Sequence, residues 1–433
     1  MYQGVKIQQI IRNFVFYTQV ITGRYIMETS RNYKNPFPDY TNSSSITVLK
    51  LEENTIADNF KVLLTTNTKK LLLKLQENKH DWNYSDDYSI YTGTAGIANM
   101  FKLYADYFNE PEYYNEAIDL LKTCINKFQW KKKEITFLTG FSGPLALGAV
   151  LFHKHGSKDD SQNAISKLKS LSSRVVNEHD KVYDELLYGR AGYLFSLLYV
   201  NSNISPSPIE SDIIKQVISC IIKSGNIYSK SRKYKTPLMY SWHNSEYLGG
   251  AHGLAGILYI LLQARDYLTE EQLKNDILPA LYYLQDLKYP SGNFPSSVGS
   301  ETDKLIHWCH GAPGMTMLFC LAYEIYLDEK FLQTALQCGE VIWERGLLKK
   351  GYGICHGVSG NAYTFLHLFQ RTEDLKHLYR ACKFAEWCFN DYGEGRNRIP
   401  DRPFSLFEGL AGVIYFLIDM QKPSMAKFPG YTL

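Results

Sequence analysis

A Gly-x-x-Gly pair followed by an apolar stretch recurs seven times along this chain. That recurrence limits the fold more than any other feature. The pairs are Gly93/Gly96, Gly140/Gly143, Gly189/Gly192, Gly253/Gly256, Gly311/Gly314, Gly357/Gly360 and Gly409/Gly412. Successive first glycines lie 47, 49, 64, 58, 46 and 52 residues apart. One such pair carries no information. Seven in the same context mark a repeat architecture, in which each unit buries its apolar face only by stacking on its neighbours.

The repeated unit reads as two helices. Segments such as Ile257–Leu262 and Val413–Ile418 follow the glycines and are apolar nearly all round, as helices buried on every side are. Between them lie longer amphipathic segments. Leu375, Leu378, Cys382, Ala385 and Phe389 form one such face, and Ile56 to Lys79 precedes the first glycine pair. An open solenoid needs polar capping repeats and solvated inner helices. These inner helices are too apolar for that. The expected fold is therefore all-α, an α/α toroid of seven inner and seven outer helices. The glycines would permit close backbone approach where the inner helices begin. No domain boundary is visible from roughly residue 45 to residue 425, so residues 27–433 read as a single domain. The loop Tyr289–Lys304, with Pro290, Gly292, Pro295 and Gly299, reads as an insertion over one face.

Charge and cysteine content narrow the function. The 47 basic and 44 acidic residues leave a net charge of +3, too balanced for nucleic acid or an anionic membrane as the main partner. Eight cysteines in 433 residues fit a reducing, cytoplasmic setting and exclude a disulfide scaffold. No stretch of eighteen apolar residues suggests a transmembrane segment. Peripheral membrane association stays open. Residues 1–26 hold Lys6, Arg12 and Arg24 and no acidic residue. They lack the Ser/Arg-rich amphipathic pattern of a targeting segment and read as an unstructured extension ahead of Met27.

In a closed repeat, equivalent positions lie at one level around the axis. The residue before each first glycine is Thr92, Thr139, Tyr188, His252, His310, His356 or Glu408. One position earlier, the fifth and sixth repeats carry Cys309 and Cys355. Chance would give far fewer than one Cys-His dipeptide, yet two stand in identical register. Two thiolates and an imidazole are a zinc-type donor set, with His356 or His310 as the third ligand and an open position for catalysis. The other cysteines, Cys124, Cys220, Cys320, Cys338, Cys382 and Cys388, fall inside apolar helices and read as core. His252 stands in the same register and is the candidate general acid/base, because imidazole titrates near neutrality.

Trp308-Cys309-His310-Gly311-Ala312-Pro313-Gly314 and Gly351-Tyr352-Gly353-Ile354-Cys355-His356-Gly357 resemble the zinc motifs of the lanthionine cyclase family. The likeness to its eukaryotic LanC-like members is closer. It extends over Gly250–Gly256, Tyr379–Cys388 and Phe404–Gly409, and covers about Met27 to Leu433. The resemblance implies an α/α toroid with Zn held by Cys309, Cys355 and His356, and His310 as a neighbour of the metal. It implies glutathione as ligand and its addition to dehydroalanine or dehydrobutyrine in proteins or peptides. Glu185 matches an acidic position that assists catalysis. Arg31, Lys350, Arg398 and Asp401 align with glutathione contacts. Bacterial cyclases have an Arg four residues before the first zinc cysteine, where this chain has Leu305 beside Lys304. A lanthionine ring-forming role is correspondingly weakened.

The leading expectation is a zinc-dependent transferase that makes thioethers. A non-catalytic glutathione-binding sensor or signalling adaptor is the alternative. Toroidal carbohydrate enzymes usually rely on paired carboxylates, which the in-register Cys-His pairs argue against. A pure interaction scaffold would give Cys355 no role.

Overall fold

A computed structural model of the chain describes residues 31–83, 86–127, 135–177, 182–391 and 398–433. The extension expected over residues 1–26 lies outside them.

Fourteen long helices are found among the described residues, alternating outer and inner. The outer helices are α1 (Asp58–Glu77), α3 (Glu112–Asn126), α5 (Lys158–Ser170), α7 (Ser211–Arg232), α9 (Leu278–Asp286), α11 (Glu329–Arg345) and α13 (Leu375–Asp391). The inner helices are α2 (Thr94–Phe108), α4 (Ser142–Lys154), α6 (Arg190–Asn203), α8 (Leu254–Gln263), α10 (Ala312–Tyr326), α12 (Val358–Thr372) and α14 (Leu410–Asp419). A π-helical turn, Gln272–Ile277, leads into α9.

Burial follows the sequence pattern. Helix α3 buries Ala117, Leu120, Leu121, Cys124 and Ile125, one stripe at three- and four-residue spacing. In α12, by contrast, every residue from Val358 to Phe369 is buried. Helix α11 shows the local signals that start and stop such a helix. The Asp328 side chain accepts the Lys330 N–H at the amino terminus, and Arg345 lies in the last turn.

The inner helices pack in chain order, α2 on α4 and onward to α14, and α14 returns to α2. Each inner helix pairs with the outer helix that follows it. The exception closes the ring, because α14 pairs with α1. The expected toroid of seven inner and seven outer helices is thus observed.

The second glycine of each pair sits against the carbonyl oxygen six residues earlier. A Cβ at Gly360 would lie 1.7 Å from the Ile354 oxygen, and one at Gly412 would lie 2.0 Å from that of Leu406. The other five second glycines meet equivalent oxygens at 1.9–2.5 Å. Each loop therefore folds tightly back onto its own helix.

Both ends of the described chain join the ring. Residues 31–40 run over α11 and α13. Tyr33 and Phe37 contact the Trp387 ring, Tyr379 donates to the Pro38 oxygen, and Asn35 donates to the Trp343 oxygen. The carboxyl-terminal tail fills the axis. Phe428 and Tyr431 are fully buried. Phe428 contacts Trp308, Tyr363 and Phe407, Tyr431 stacks on Tyr259, and Gly430 lies against Leu138. Both the arm from residue 31 and the tail to residue 433 thus pack on the helices of the ring. Among the described residues, no helix is long and apolar enough to cross a membrane.

Candidate metal centre and substrate cavity

The loops before the inner helices form one rim of the ring, joined by a relay of backbone hydrogen bonds. Cys309 N–H donates to Cys355 O (3.4 Å), Cys355 N–H to Phe407 O (2.9 Å), Phe407 N–H to Tyr91 O (3.0 Å), and Tyr91 N–H to Leu138 O (2.8 Å). All five residues stand two places before a first glycine. Trp308, Ile354 and Leu406 point into the core and are fully buried. The next residue in turn, Cys309 or Cys355, faces a cavity of ≈ 480 Å³. Gly311 completes the fifth loop at φ +113°, a backbone conformation that favours glycine, and Ala312 N–H is then taken by Asn293 Oδ1 at 2.8 Å. Asn293 belongs to the 289–304 loop, whose Asp303 is held by Arg345 at 3.0 Å.

One ligating atom each of Cys309, Cys355 and His356 lies within 4.8 Å of the others. Among the described residues this is the one such group of histidine, cysteine or acidic side chains. Burial pushes the Cys355 thiol well above its ordinary range. The adjacent Cys309 raises it further, and His356 opposes the rise. Two buried thiols so close together hold thiolate charge only beside a cation, so the donor set fits a thiophilic metal ion. His310 is not in the cluster. It lines the cavity with its Nδ1 buried and unpartnered, and burial lowers its pKa to about 4.

On one side of the cysteines, His252 Nδ1 lies 3.0 Å from Glu185 Oε2. Glu185 is buried and also accepts the N–H groups of Leu187 (2.7 Å) and Tyr188 (2.6 Å). An ionised carboxylate only accepts, so this geometry assigns the proton to Nδ1 and leaves Nε2 as the free position. The ring stacks on Trp242, centroids 3.9 Å apart. The Glu185 loop is itself anchored. Neighbouring Asp184 pairs with Arg190 at 2.8 Å in the interior and accepts from Ser224 at 2.6 Å.

On the other side, three segments meet through their backbones. Tyr33 N–H donates to Leu347 O (2.7 Å), Lys349 N–H to Arg31 O (3.0 Å), and Arg398 N–H to Lys349 O (3.3 Å). Arg31, Lys349, Lys350 and Arg398 all line the cavity, and among the described residues no carboxylate does. This wall suits an anion. Asp401 is not among the lining residues. Its side chain is exposed and lies 3.3 Å from Arg398 Nη2.

The family model described as "Lanthionine synthetase C-like protein" matches residues 84–433. The chain belongs to the lanthionine synthetase C-like family. Its relatives include "Glutathione S-transferase LANCL1" of Danio rerio, 42% identical over 409 residues, which span 94% of this chain and all of the relative. "LanC-like protein GCL1" of Arabidopsis thaliana is 33% identical over 360 residues, 80% of this chain and 82% of the relative. Among solved structures, nisin cyclase superposes with a TM-score of 0.62 at 17% identity, covering 82% of this chain and 94% of that one. That likeness shows the shared fold.

Within this LanC-like ring, three cavity residues escaped the sequence reading. Tyr91 occupies the register of the two cysteines, so the alignment of repeats already marked its position. Burial, then Cys355 and Cys309, hold its phenol well above the ordinary range. His307 precedes Cys309 by two residues and is buried. Burial, then His356 and nearby cations, lower its pKa to about 3. Lys349 could not be told from a solvated surface lysine. Of the cysteines read as core, five are buried, whereas Cys220 is only partly so.

Proposed function

We propose that this LanC-like chain is a zinc-dependent transferase that adds glutathione thiolate to dehydroalanine or dehydrobutyrine residues of proteins. The observation that carries the reading is the sequence of chemistry around one cavity. The Cys309–Cys355–His356 cluster lies between a wall of cations and the His252–Glu185 pair. The name of the zebrafish relative, a glutathione S-transferase, supports the thiol donor.

Zinc bound by the two cysteines and His356 would supply the positive charge that keeps a substrate thiol ionised at neutral pH. The remaining work falls to the protein. Arg31, Lys350 and Arg398 hold the two glutathione carboxylates and aim its sulfur at the cluster, while Asp401, outside the cavity, positions the Arg398 guanidinium. The new S–C bond forms at the acceptor's β-carbon as the C=C π pair moves toward the α-carbon and carbonyl. The α-carbon then takes a proton from His252 Nε2, to which the thiol proton has passed. Glu185 holds Nδ1–H throughout and stabilises the imidazolium. The two-sided wall keeps donor and acceptor in near-attack geometry.

The test is an anaerobic assay with glutathione and a dehydroalanine peptide, following the mass gain of one glutathione. The expected result is about one zinc per chain in wild type, with addition that Cys355→Ala abolishes. Zinc-loaded protein that gives no acceleration over the uncatalysed thiol addition would overturn the reading.

A further inference from the structure

The longest interval between repeats, 64 residues, separates Gly189 from Gly253. Part of that length forms a tight two-residue turn. Trp242 and Ser245 exchange backbone hydrogen bonds at 2.9 and 3.1 Å, and His243 and Asn244 between them have φ of +46° and +61°. Left-handed backbone at two successive residues is the signature of a hairpin turn, and only one of these is the asparagine that tolerates it well. The turn holds aromatic side chains beside the cavity mouth. Trp242 stacks on His252 at 3.9 Å, His243 meets Trp242 edge-on at 4.3 Å, and Tyr183 lies 5.9 Å from His243. Tyr188 runs parallel to Trp242 at 5.7 Å. Tyr183 and Tyr188 are 39% and 41% exposed, so their rings are open to a partner.

The position of this shelf in the ring decides what it binds. The cationic wall belongs to the loops before the sixth and seventh inner helices and to the arm bearing Arg31, and the cysteines belong to the fifth and sixth loops. The shelf belongs to the third and fourth. A thiol donor with two carboxylates takes the cationic side, so its reaction partner reaches the sulfur from the aromatic side, where His252 is waiting. The rings continue outward from His252 through Trp242 and His243 to Tyr183. Their successive spacings exceed one residue of extended chain, ~3.3 Å. A single amino acid would leave most of the shelf uncovered.

We propose that Tyr183, Tyr188, Trp242 and His243 form the docking shelf for the polypeptide acceptor, gripping apolar or aromatic side chains that flank the dehydroamino acid. This rests on the thioether-forming reading above. Exposed rings with few internal torsions supply contact area at low entropic cost, and a shelf without a fixed charge tolerates varied sequences.

The experiment compares wild type with a Tyr183→Ala, His243→Ala double variant, neither residue touching the cluster, His252 or the cationic wall. Two acceptors are used. One is a nine-residue peptide with central dehydroalanine between phenylalanine and leucine, the other N-acetyldehydroalanine amide. The KM for the peptide is expected to rise about fivefold or more, with the glutathione KM, zinc content and kinetics on the small acceptor unchanged within about twofold. Unchanged peptide kinetics, or equal losses on both acceptors, would overturn the shelf. A second measurement needs no turnover. A fluorescent peptide with alanine in place of dehydroalanine should bind wild type about fivefold more tightly than the variant by anisotropy. Equal binding, or none to wild type, rejects the shelf. Absence of turnover on both acceptors in wild type rejects the thioether chemistry, whatever the anisotropy shows.

Discussion

Arg380, fully buried in α13, reaches Asp39 of the amino-terminal arm at 3.1 Å while both of its terminal nitrogens donate to Glu340 at 2.8–2.9 Å. Its guanidinium also lies 5.1 Å from the Trp343 ring. The arm fastened there is the one whose Arg31 enters the cavity. Asp39 is half-exposed, so its pair with Arg380 contributes only about 0–1 kcal/mol. Asp39→Ala should therefore leave the melting temperature nearly unchanged but raise the glutathione KM about two- to fivefold at constant kcat. A loss in kcat with unchanged KM would show that the arm has another role.

His252→Ala should lower turnover by about 10²–10⁴, the usual worth of a general acid/base. Glutathione binding by calorimetry should remain, because the cationic wall is untouched. Glu185→Gln should retain binding too, with a smaller loss in kcat. Full turnover in His252→Ala would give the proton transfer to another group. Loss of glutathione binding would show that the imidazole holds the donor.

Chelation should remove the metal without unfolding the ring. Cys309 and Cys355 are fixed by the backbone relay from Cys309 N–H to Leu138 O, which involves no side chain. Circular dichroism at 222 nm should persist after treatment with a strong chelator, and the melting temperature should fall by no more than about 10 °C. A chelator that melts the helices would make the metal a folding element, as in small zinc domains.

Two glycine substitutions separate close approach from mere occupancy. Gly360→Ala would bring a Cβ to 1.7 Å from the Ile354 oxygen, a backbone atom that cannot give way. It should cost about 3 kcal/mol or more and disturb the neighbouring Cys355 loop. Gly339→Ala in α11 meets only the end of the Leu368 side chain at 2.7 Å. Alanine's better helix propensity offsets that contact, and the net change should stay within about 1 kcal/mol. Denaturant midpoints of the two variants measure the difference.

Asp419 gives a pH test away from the cavity. Burial raises its pKa from 3.8 to about 7, against hydrogen bonds from the Tyr363 hydroxyl (2.6 Å) and Lys427 N–H (3.3 Å). The fold prefers the neutral acid, so its contribution is complete below the unfolded pKa of 3.8 and is lost as pH rises toward 7. Stability measured between pH 4 and 7 should decline less steeply in Asp419→Asn than in wild type. Identical slopes would mean that the carboxyl is ionised in the fold.

The ring and the pairing of Cys309 with Cys355 were legible in the sequence because both depend on register. A carbonyl oxygen packed against each second glycine leaves an invariant signature, and Cys309 and Cys355 repeat at one position of it. Residues recruited from outside the repeats left no such trace. Lys349 enters the cavity through a backbone pairing with Arg31, and Phe428 and Tyr431 fill the axis from a tail with no periodicity. Asp401 shows the converse: its neighbour Arg398 lines the cavity, while one turn of loop leaves its own side chain in solvent. The shelf was equally silent, since it arises from a hairpin turn whose two residues are His243 and Asn244 rather than a glycine-bearing pair.

Helix α1 is translated first among the fourteen, and its partner α14 is translated last. On the ribosome α1 must wait, its apolar stripe uncovered, while nearly the whole polypeptide emerges. The tail bearing Phe428 and Tyr431 arrives later still. A nascent chain of this kind has no sealed interior until the last helix and the tail after it are made. Chaperone dependence should accordingly last until α14 and the segment bearing Phe428 and Tyr431 have emerged, and a stop codon ahead of Phe428 should leave the ring unsealed.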